Sequence, residues 1–325
     1  MKPYNRANIP LAKELRKNIA PSSEGAFVRG TMERTVYAVG FFDGVHIGHQ
    51  ALLTACRDLA DKLGCRAGVV TFSSHPDALV SGTAPKLINT AADRRALLTS
   101  YGMDCVVELP FDKLLMQMPW QEFFRLLVET YQAAGLVCGY DFRFGDKGQG
   151  NGALLQQACR EKGMPCLVVP EQKLEGITVS STYIRRLLEQ GEVETANIFL
   201  GHPYRLTGTV VPGRQLGRTV GVPTANLELP AELVQPRLGV YACKVTAEGE
   251  EYLAVTNVGS RPTVDGHHIT VEPWLLDFNG DLYGKAVTVE FFKFLRQEEK
   301  FPDLEQLSLQ IQKDAQKTRK FFKKT

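Results

Sequence analysis

Apolar and polar positions change rhythm once along this chain. From Thr35 to about Gly191, short β-branched apolar runs alternate with longer amphipathic stretches, the pattern of βαβ units and a parallel sheet. The runs predict strands at Val36–Val39, Ala67–Phe72, Val106–Leu109, Leu136–Cys138 and Cys166–Val169. The stretches between them predict helices at Ala51–Leu63, Ala92–Tyr101, Trp120–Tyr131 and Ala153–Lys162. This is a doubly wound α/β domain, in which ligands bind beyond the carboxyl ends of the strands. After Gly201 the strands crowd together at Arg205–Val211, Gly239–Thr246, Tyr252–Val258, Thr270–Phe278 and Ala286–Phe294, spacing that predicts an antiparallel β-barrel. A closing helix follows, with Leu304, Leu307 and Ile311 on one face. The change of rhythm sets a boundary near Gly201–Pro203, giving domains over 32–201 and 202–325. Residues 1–31 carry only a weak helical stripe at Ile9–Ile19 and a linker-like Pro21–Gly25, so they are expected to form a loosely held extension.

Bulk properties narrow the function. A chain of 325 residues exceeds what one hydrophobic core usually serves, in keeping with two domains. The formal charge is +2 with the basic residues dispersed, which offers no broad field for a nucleic-acid backbone or a membrane surface. Small-molecule ligands are the expected partners. The one basic cluster, Lys317, Arg319, Lys320, Lys323 and Lys324, falls at the end of the closing helix, where positive charge complements the helix dipole. Seven cysteines without a CxxC pair form neither a zinc knuckle nor a secreted disulfide framework, and point to a reducing cytoplasm. The sequence has no apolar run of about 18 residues and no signal-peptide core at its N-terminus.

The most informative segment, Gly40-Phe41-Phe42-Asp43-Gly44-Val45-His46-Ile47-Gly48-His49, directly follows the first strand and opens the first helix. A doubly wound fold presents backbone N–H groups and a positive helix end to a phosphate at this place. Two histidines three residues apart can face the same ligand, and Gly48 between them lets it come close. A lone histidine on such a turn is more often structural, but the pair at HxGH spacing reverses that weighting. Two later segments carry related chemistry: Gly139-Tyr140-Asp141-Phe142-Arg143-Phe144-Gly145 after the fourth strand, and Ser180-Ser181-Thr182-Tyr183-Ile184-Arg185 opening a late helix. Hydroxyls at a helix start are commonly N-caps; joined by Arg185, which suits bidentate phosphate contact, they can also make an anion cradle. The chain lacks a GxxxxGK[ST] loop, so a P-loop mechanism is not supported.

In the second domain, Gly217-Arg218-Thr219-Val220-Gly221-Val222-Pro223-Thr224-Ala225-Asn226 is a glycine-punctuated loop. Its glycines permit close approach to phosphate, and its terminal hydroxyl and amide oxygen are hard ligands suited to magnesium. Asn257-Val258-Gly259-Ser260-Arg261-Pro262-Thr263, Val271-Glu272-Pro273-Trp274 and Asp281-Leu282-Tyr283-Gly284 follow in order. In a strand, Glu272 shares a face with Thr270 and Trp274, and the expectation is an inward carboxylate acting as general base toward a substrate hydroxyl. The competing reading is a surface carboxylate blunting an edge strand.

HxGH after a first strand resembles the nucleotidyltransferase superfamily, whose Rossmann-like domains transfer a nucleotidyl group from a nucleoside triphosphate with release of pyrophosphate. Taken with Thr71-Phe72-Ser73-Ser74-His75-Pro76, the GYDFRFG segment and SSTYIR, the first domain is similar to the FAD synthetase module of bacterial bifunctional riboflavin kinase/FAD synthetases. The ordered motifs from PTAN onward resemble the riboflavin kinase module, across roughly Pro203 to Phe322. The resemblance implies that His46 and His49 act on the α-phosphate of ATP, with Gly40, Phe42, Asp43, Gly44 and Gly48 binding the nucleotide's phosphates. Asp141 then helps to hold the nucleotide, and Ser181, Thr182 and Arg185 hold its outer phosphates. In the second domain Gly217 and Gly221 approach the nucleotide, Thr224 and Asn226 bind Mg2+ with ATP, and Glu272 takes a proton from the ribityl hydroxyl. Riboflavin, FMN and ATP are the implied substrates and FAD the product. Phe41 and Thr178 depart from the family pattern, in which many members carry Asn and Arg. Other nucleotidyltransferases, acting on pantetheine phosphate or glycerol phosphate, share HxGH but not the second domain's motifs. A flavin-binding regulator that has lost one of the two activities is the alternative of another class.

Overall fold

The computed structural model describes residues 33–80, 82–212, 224–263 and 266–323. The expected extension 1–31 and the loop glycines Gly217 and Gly221 lie outside them. By internal contacts the chain forms two compact units. The first holds the described residues up to Phe42 together with Gly48–Pro85 and Arg95–Gln172; the second holds Asp43–Ile47, Lys86–Arg94 and everything described from Lys173 onward.

The first unit is built on five parallel strands: β1 (Thr35–Val39), β2 (Arg66–Phe72), β3 (Cys105–Leu109), β4 (Ala133–Gly139) and β5 (Cys166–Val169), in the order β3-β2-β1-β4-β5. β1 is buried along its whole length, as strands covered on both faces must be. Successive crossovers run outward from β1 through β2 to β3 and, on its other side, through β4 to β5. The topological switch therefore falls between β1 and β4, where Val39 is in register with Cys138, and both strands deliver loops to the same edge of the sheet. α1 (Ile47–Leu63) connects β1 to β2; it begins four residues earlier than its apolar pattern predicts, so Gly48 and His49 lie in its first turn. α2 (Ala91–Ser100), α3 (Trp120–Arg125) and α4 (Gly152–Glu161) follow. The single helix expected over Trp120–Tyr131 is an α-helical turn continued by a π-helical one at Leu126–Thr130. The wider turn still carries Leu126 and Leu127 into the core.

In the second unit, α5 (Ser181–Gln190) and α6 (Val193–Leu200) lead into six antiparallel strands. These are β6 (Tyr204–Thr209), β7 (Leu227–Glu228), β8 (Gly239–Ala247), β9 (Glu250–Thr263), β10 (Gly266–Leu275) and β11 (Ala286–Arg296). Their order is β6-β11-β8-β9-β10-β7, and a bridge between Val211 and Asn226 nearly closes the barrel. Ile184, Leu187, Leu188, Phe199 and Leu200 of the two helices share one buried cluster with Tyr241, Val258, Val271 and Phe291 of the barrel. By contact the two helices thus belong with the barrel, although their texture continues that of the preceding domain.

α7 (Leu304–Phe322) packs on the outside of β8 and β9. Its buried residues are Asp314, Ala315 and Thr318, whereas Leu304, which by spacing shares a face with Leu307 and Ile311, is 58% exposed. A buried aspartate needs a partner, and Arg296 Nε donates to Asp314 Oδ2 at 2.8 Å. That pair, rather than an apolar stripe alone, fixes the helix. Nearer its end, Arg319 donates to both carboxylate oxygens of Asp277 at 2.7 and 3.0 Å.

Candidate active sites

The turn after β1 is conformationally unusual. Phe42, Gly44 and Val45 have φ of 61°, 80° and 41°, and a β-branched valine in the left-handed region is a genuine outlier. Such strain persists only where the surroundings over-determine it, as they do at ligand sites. In the first unit, Gly40 N–H donates to Val70 O at 3.1 Å and Thr71 Oγ1 donates to Phe41 O at 2.9 Å. The Phe41 ring meets His75 edge-on, 4.7 Å between centroids. The Thr71–Pro76 segment, noticed in the sequence without a role, therefore grips the first residues of the turn. Phe42 is fully buried, its ring 5.2 Å from that of His49, so its side chain is a packing element and not a ligand contact. Asp141 stands exposed just beyond β4.

In the second unit, the middle of the turn is held from several directions. Asp43 is 3% exposed; its Oδ1 accepts from Ile88 N at 2.8 Å and its Oδ2 lies 3.5 Å from Arg185 Nε. Burial raises the Asp43 carboxyl above the usual carboxylate range, against the lowering influence of the Ile88 hydrogen bond and Arg185. Asp43, expected among the phosphate-binding residues, thus acts as an internal anchor. Gly44 N–H donates to Asn89 Oδ1 at 3.2 Å, and Gly44 O lies 2.9 Å from His202 Nε2. A Cβ on Gly44 would come within 2.8 Å of Ile88 Cδ1, so glycine is required here by space as well as by φ. Burial lowers His46 to about 4, which makes it a neutral imidazole at pH 7, able to offer an N–H dipole but no full charge.

The hydroxyl-rich start of α5 divides its labour. Ser180 is the N-cap, accepting from Tyr183 N–H at 3.3 Å. Ser181 Oγ donates to Asp43 O at 2.9 Å, and Arg185, beside Asp43, lies 3.5 Å from Thr182 Oγ1. Of the three expected phosphate ligands only Thr182 is exposed; Ser181 and Arg185 hold the Asp43 segment. Asn89 and His202, which no sequence signal marked, complete its support.

On the barrel, the alternation along β10 settles which way Glu272 points. Val271 and Leu275 lie in the barrel core, while Trp274 packs in the outer cluster with Ala315 of α7. Glu272, sharing the face of Trp274, is half-buried on the outside. The expectation of an inward carboxylate is therefore corrected: the interior is filled by apolar side chains, and the outer face is where a ligand can reach. Glu272 lies opposite Asn257 of β9. On the other side Leu227 of β7 pairs with Val271 and Ala225 N–H donates to Pro273 O at 2.9 Å; continuing that register brings Asn226 abreast of Glu272. Cross-strand partners share a face, so Asn226, Glu272 and Asn257 form a row. Thr224 lines a pocket of about 50 Å³ with Val210, Leu275, Asp281 and Tyr283. This joins the PTAN segment to the Asp281–Gly284 turn in a space far smaller than a nucleotide site.

A parallel sheet with a strained histidine-bearing turn at its switch point, followed by a near-closed antiparallel barrel with one carboxylate between two amides on its outer face, is the architecture of a two-domain nucleotide-using transferase. Family models narrow this class: one for FAD synthetase matches residues 29–183 and one for riboflavin kinase matches 200–322. Proteins named bifunctional riboflavin kinase/FMN adenylyltransferase from Listeria monocytogenes and Haemophilus influenzae are 34% and 38% identical, covering 89% and 87% of this chain and 93% of each relative. A solved structure from Streptococcus pneumoniae, named a macrolide-efflux protein, superposes with a TM-score of 0.81 at 32% identity, over 89% of this chain and 95% of that one. The chain belongs to the bifunctional riboflavin kinase/FMN adenylyltransferase family. No helix among the described residues is long and apolar enough to cross a membrane.

Proposed function

We propose that the chain makes flavin cofactors in two steps, phosphorylating riboflavin with ATP in the barrel and then adenylylating FMN with ATP on the parallel-sheet domain, releasing pyrophosphate. Both family models in one chain, in that order, carry the reading; a regulator lacking one activity is not favoured.

In the adenylylation step, charge develops on the α-phosphate as pyrophosphate leaves. Phosphoryl-type transfer asks for positioning and electrostatic stabilisation more than for a protein nucleophile. His46, neutral through burial, and His49 in the first turn of α1 supply N–H donors at the positive end of that helix. Gly40 and Gly44, which leave room for Phe42 and Ile88, let the turn take its shape, Gly48 lets the phosphate come close, and Asp141 holds the nucleotide. Thr182, with Ser181 and Arg185 behind it, serves the outer phosphates.

In the kinase step Glu272 accepts the proton of the terminal ribityl hydroxyl as that oxygen attacks the γ-phosphate, whose bond to the bridging oxygen breaks to release ADP. Thr224 and Asn226 fit a magnesium ion: they offer neutral hard oxygens, no described cluster of acidic or histidine residues competes for it, and magnesium is commonly held by few protein ligands plus substrate phosphates. Bound there with ATP, the ion neutralises phosphate charge. Gly217 and Gly221 approach the same nucleotide. A reducing cytoplasm suits the seven free cysteines. Incubation with riboflavin, ATP and magnesium, followed by chromatographic separation, tests the whole reading: FMN and FAD both accumulate if it is right, FMN alone means a silent first domain, and neither means a regulator.

A further inference from the structure

The outer face of the barrel holds more than the Glu272 carboxylate. Thr270, two residues earlier on the same face of β10, places its Oγ1 2.8 Å from Glu272 Oε1. A carboxylate only accepts, so the hydroxyl donates. The same hydroxyl lies 3.5 Å from Gly259 O, a distance at which little hydrogen bonding remains, so its single hydrogen belongs to Glu272.

Thr270 itself has little freedom. Its backbone is paired on both sides, with Gly259 of β9 and with Glu228 of β7, and the residue is only 6% exposed. A β-branched side chain has restricted χ1, and a hydrogen bond shielded from water is stronger than one in solvent. A second pair runs alongside: Asn257 Nδ2, on the residue opposite Glu272, donates to Glu298 Oε1 at 3.1 Å. Glu298 Oε1 sits 2.6 Å from where a Cβ of Gly259 would be, so the glycine facing Thr270 makes room for this second pair. The row is thus ordered by short, directional contacts on a rigid strand pair, the arrangement that holds a reacting group within the narrow tolerance chemistry needs.

We infer that Thr270 is a positioning residue for phosphoryl transfer: by fixing one oxygen of Glu272 it sets the plane of the carboxylate that receives the substrate's proton. The inference rests on the reading of Glu272 as the base. Thr270 touches no substrate, and its effect passes entirely through Glu272.

The test compares Thr270→Val, which keeps the shape and removes the donor, with Thr270→Ser, which keeps the donor, and with Glu272→Gln, in the full-length chain. FMN formation is measured with kcat and KM for riboflavin resolved, together with melting temperature and adenylylation of supplied FMN. Loss of a hydrogen bond to a charged group corresponds to about a ten- to hundredfold change. Thr270→Val is expected to lower kcat by about that factor with KM for riboflavin little changed, because the lost interaction serves the transition state rather than ground-state binding. Thr270→Ser is expected to recover most of the rate, and adenylylation to be untouched in both. Should Thr270→Val be insoluble, Thr270→Ala removes the same donor and is read in the same way. Wild-type kcat in the donor-less variant, or a serine variant as slow as the valine one with both melting early, overturns the inference and makes Thr270 a structural residue. If Glu272→Gln itself retains kinase activity, the base assignment fails first; if that variant is dead while Thr270→Val is not, only the positioning role fails.

Discussion

The two candidate sites are made in opposite ways. The turn after β1 is an irregular loop whose backbone takes positive φ at Phe42, Gly44 and Val45, and it keeps that shape because groups remote in sequence hold it: Asn89, Arg185 and His202 on its middle, Thr71 on its start. The row on the barrel is an ordinary strand face, where register alone sets Asn226, Glu272 and Asn257 abreast. A loop site therefore depends on many distant supports and a strand site on few local ones. Substitutions away from the first site should reach its chemistry, whereas those near the second should act only through direct neighbours.

The largest effect that can break this comparison is a cut in the chain. Division after Gly201 removes α5 and α6, and with them Ile184, Leu187, Leu188, Val193, Ala196, Phe199 and Leu200, from the buried cluster they share with the barrel. Burying a large apolar side chain is worth roughly 1.5–3 kcal/mol, so losing several is comparable to the whole stability of an ordinary domain, about 5–15 kcal/mol. A fragment of residues 202–325 is expected to be insoluble or unfolded, and one beginning at Lys173 to melt at a clearly higher temperature. Equal melting of the two would mean that the helices contribute nothing to the barrel.

Next in size are the groups proposed to act on the substrates. Glu272→Gln is expected to slow riboflavin phosphorylation by roughly a hundred- to ten-thousandfold, the usual contribution of a general base, while supplied FMN is still adenylylated. Alanine at His46 and His49 is expected to slow adenylylation by at least a hundred- to a thousandfold, about 2.7–4 kcal/mol for one preorganised donor, with FMN accumulating. Measured separately, the two reactions should respond to one substitution set each. A histidine variant that stops phosphorylating riboflavin, or a Glu272 variant that cannot adenylate FMN, contradicts the division of labour.

The same contrast explains what the sequence made legible. All five parallel strands and the main barrel strands are visible as apolar runs, because a strand's burial follows its own residues. The motif residues stand out for their chemistry. What stayed hidden depends on partners. Asp43 looks like a ligand in its glycine-rich turn and proves to be an anchor, since nothing local announces Ile88 N–H or Arg185. Glu272 shows its alternation clearly, but which face of β10 meets the core is decided by how the barrel closes and where α7 docks. Leu304 keeps helical spacing yet remains in solvent, because Asp314 with Arg296 supplies a contact that an apolar stripe cannot reveal. His202 and Asn89 carry no pattern at all.

The smallest effect distinguishes the two sites by acid. Burial holds His46 down from 6.5 to about 4, and burial also lowers His202, which lies against Gly44 O. Between those two values the unfolded chain binds a proton at position 46 that the native chain refuses, so stability rises with pH across that window. The contribution is fully present above pH 6.5 and is lost as pH falls through about 4. A complete shift of that size corresponds to about 3 kcal/mol, taking 1.36 kcal/mol per unit. Asp43 acts in the opposite sense, since burial raises its carboxyl and acid then favours the native state. The signature of His46 is therefore a difference: denaturant unfolding of the wild type and of His46→Asn, followed from pH 7 to 4, should give curves that converge as the pH drops, the variant's being the flatter. Parallel curves would mean that protonating His46 costs the folded turn nothing, and that its strained backbone does not depend on a neutral imidazole.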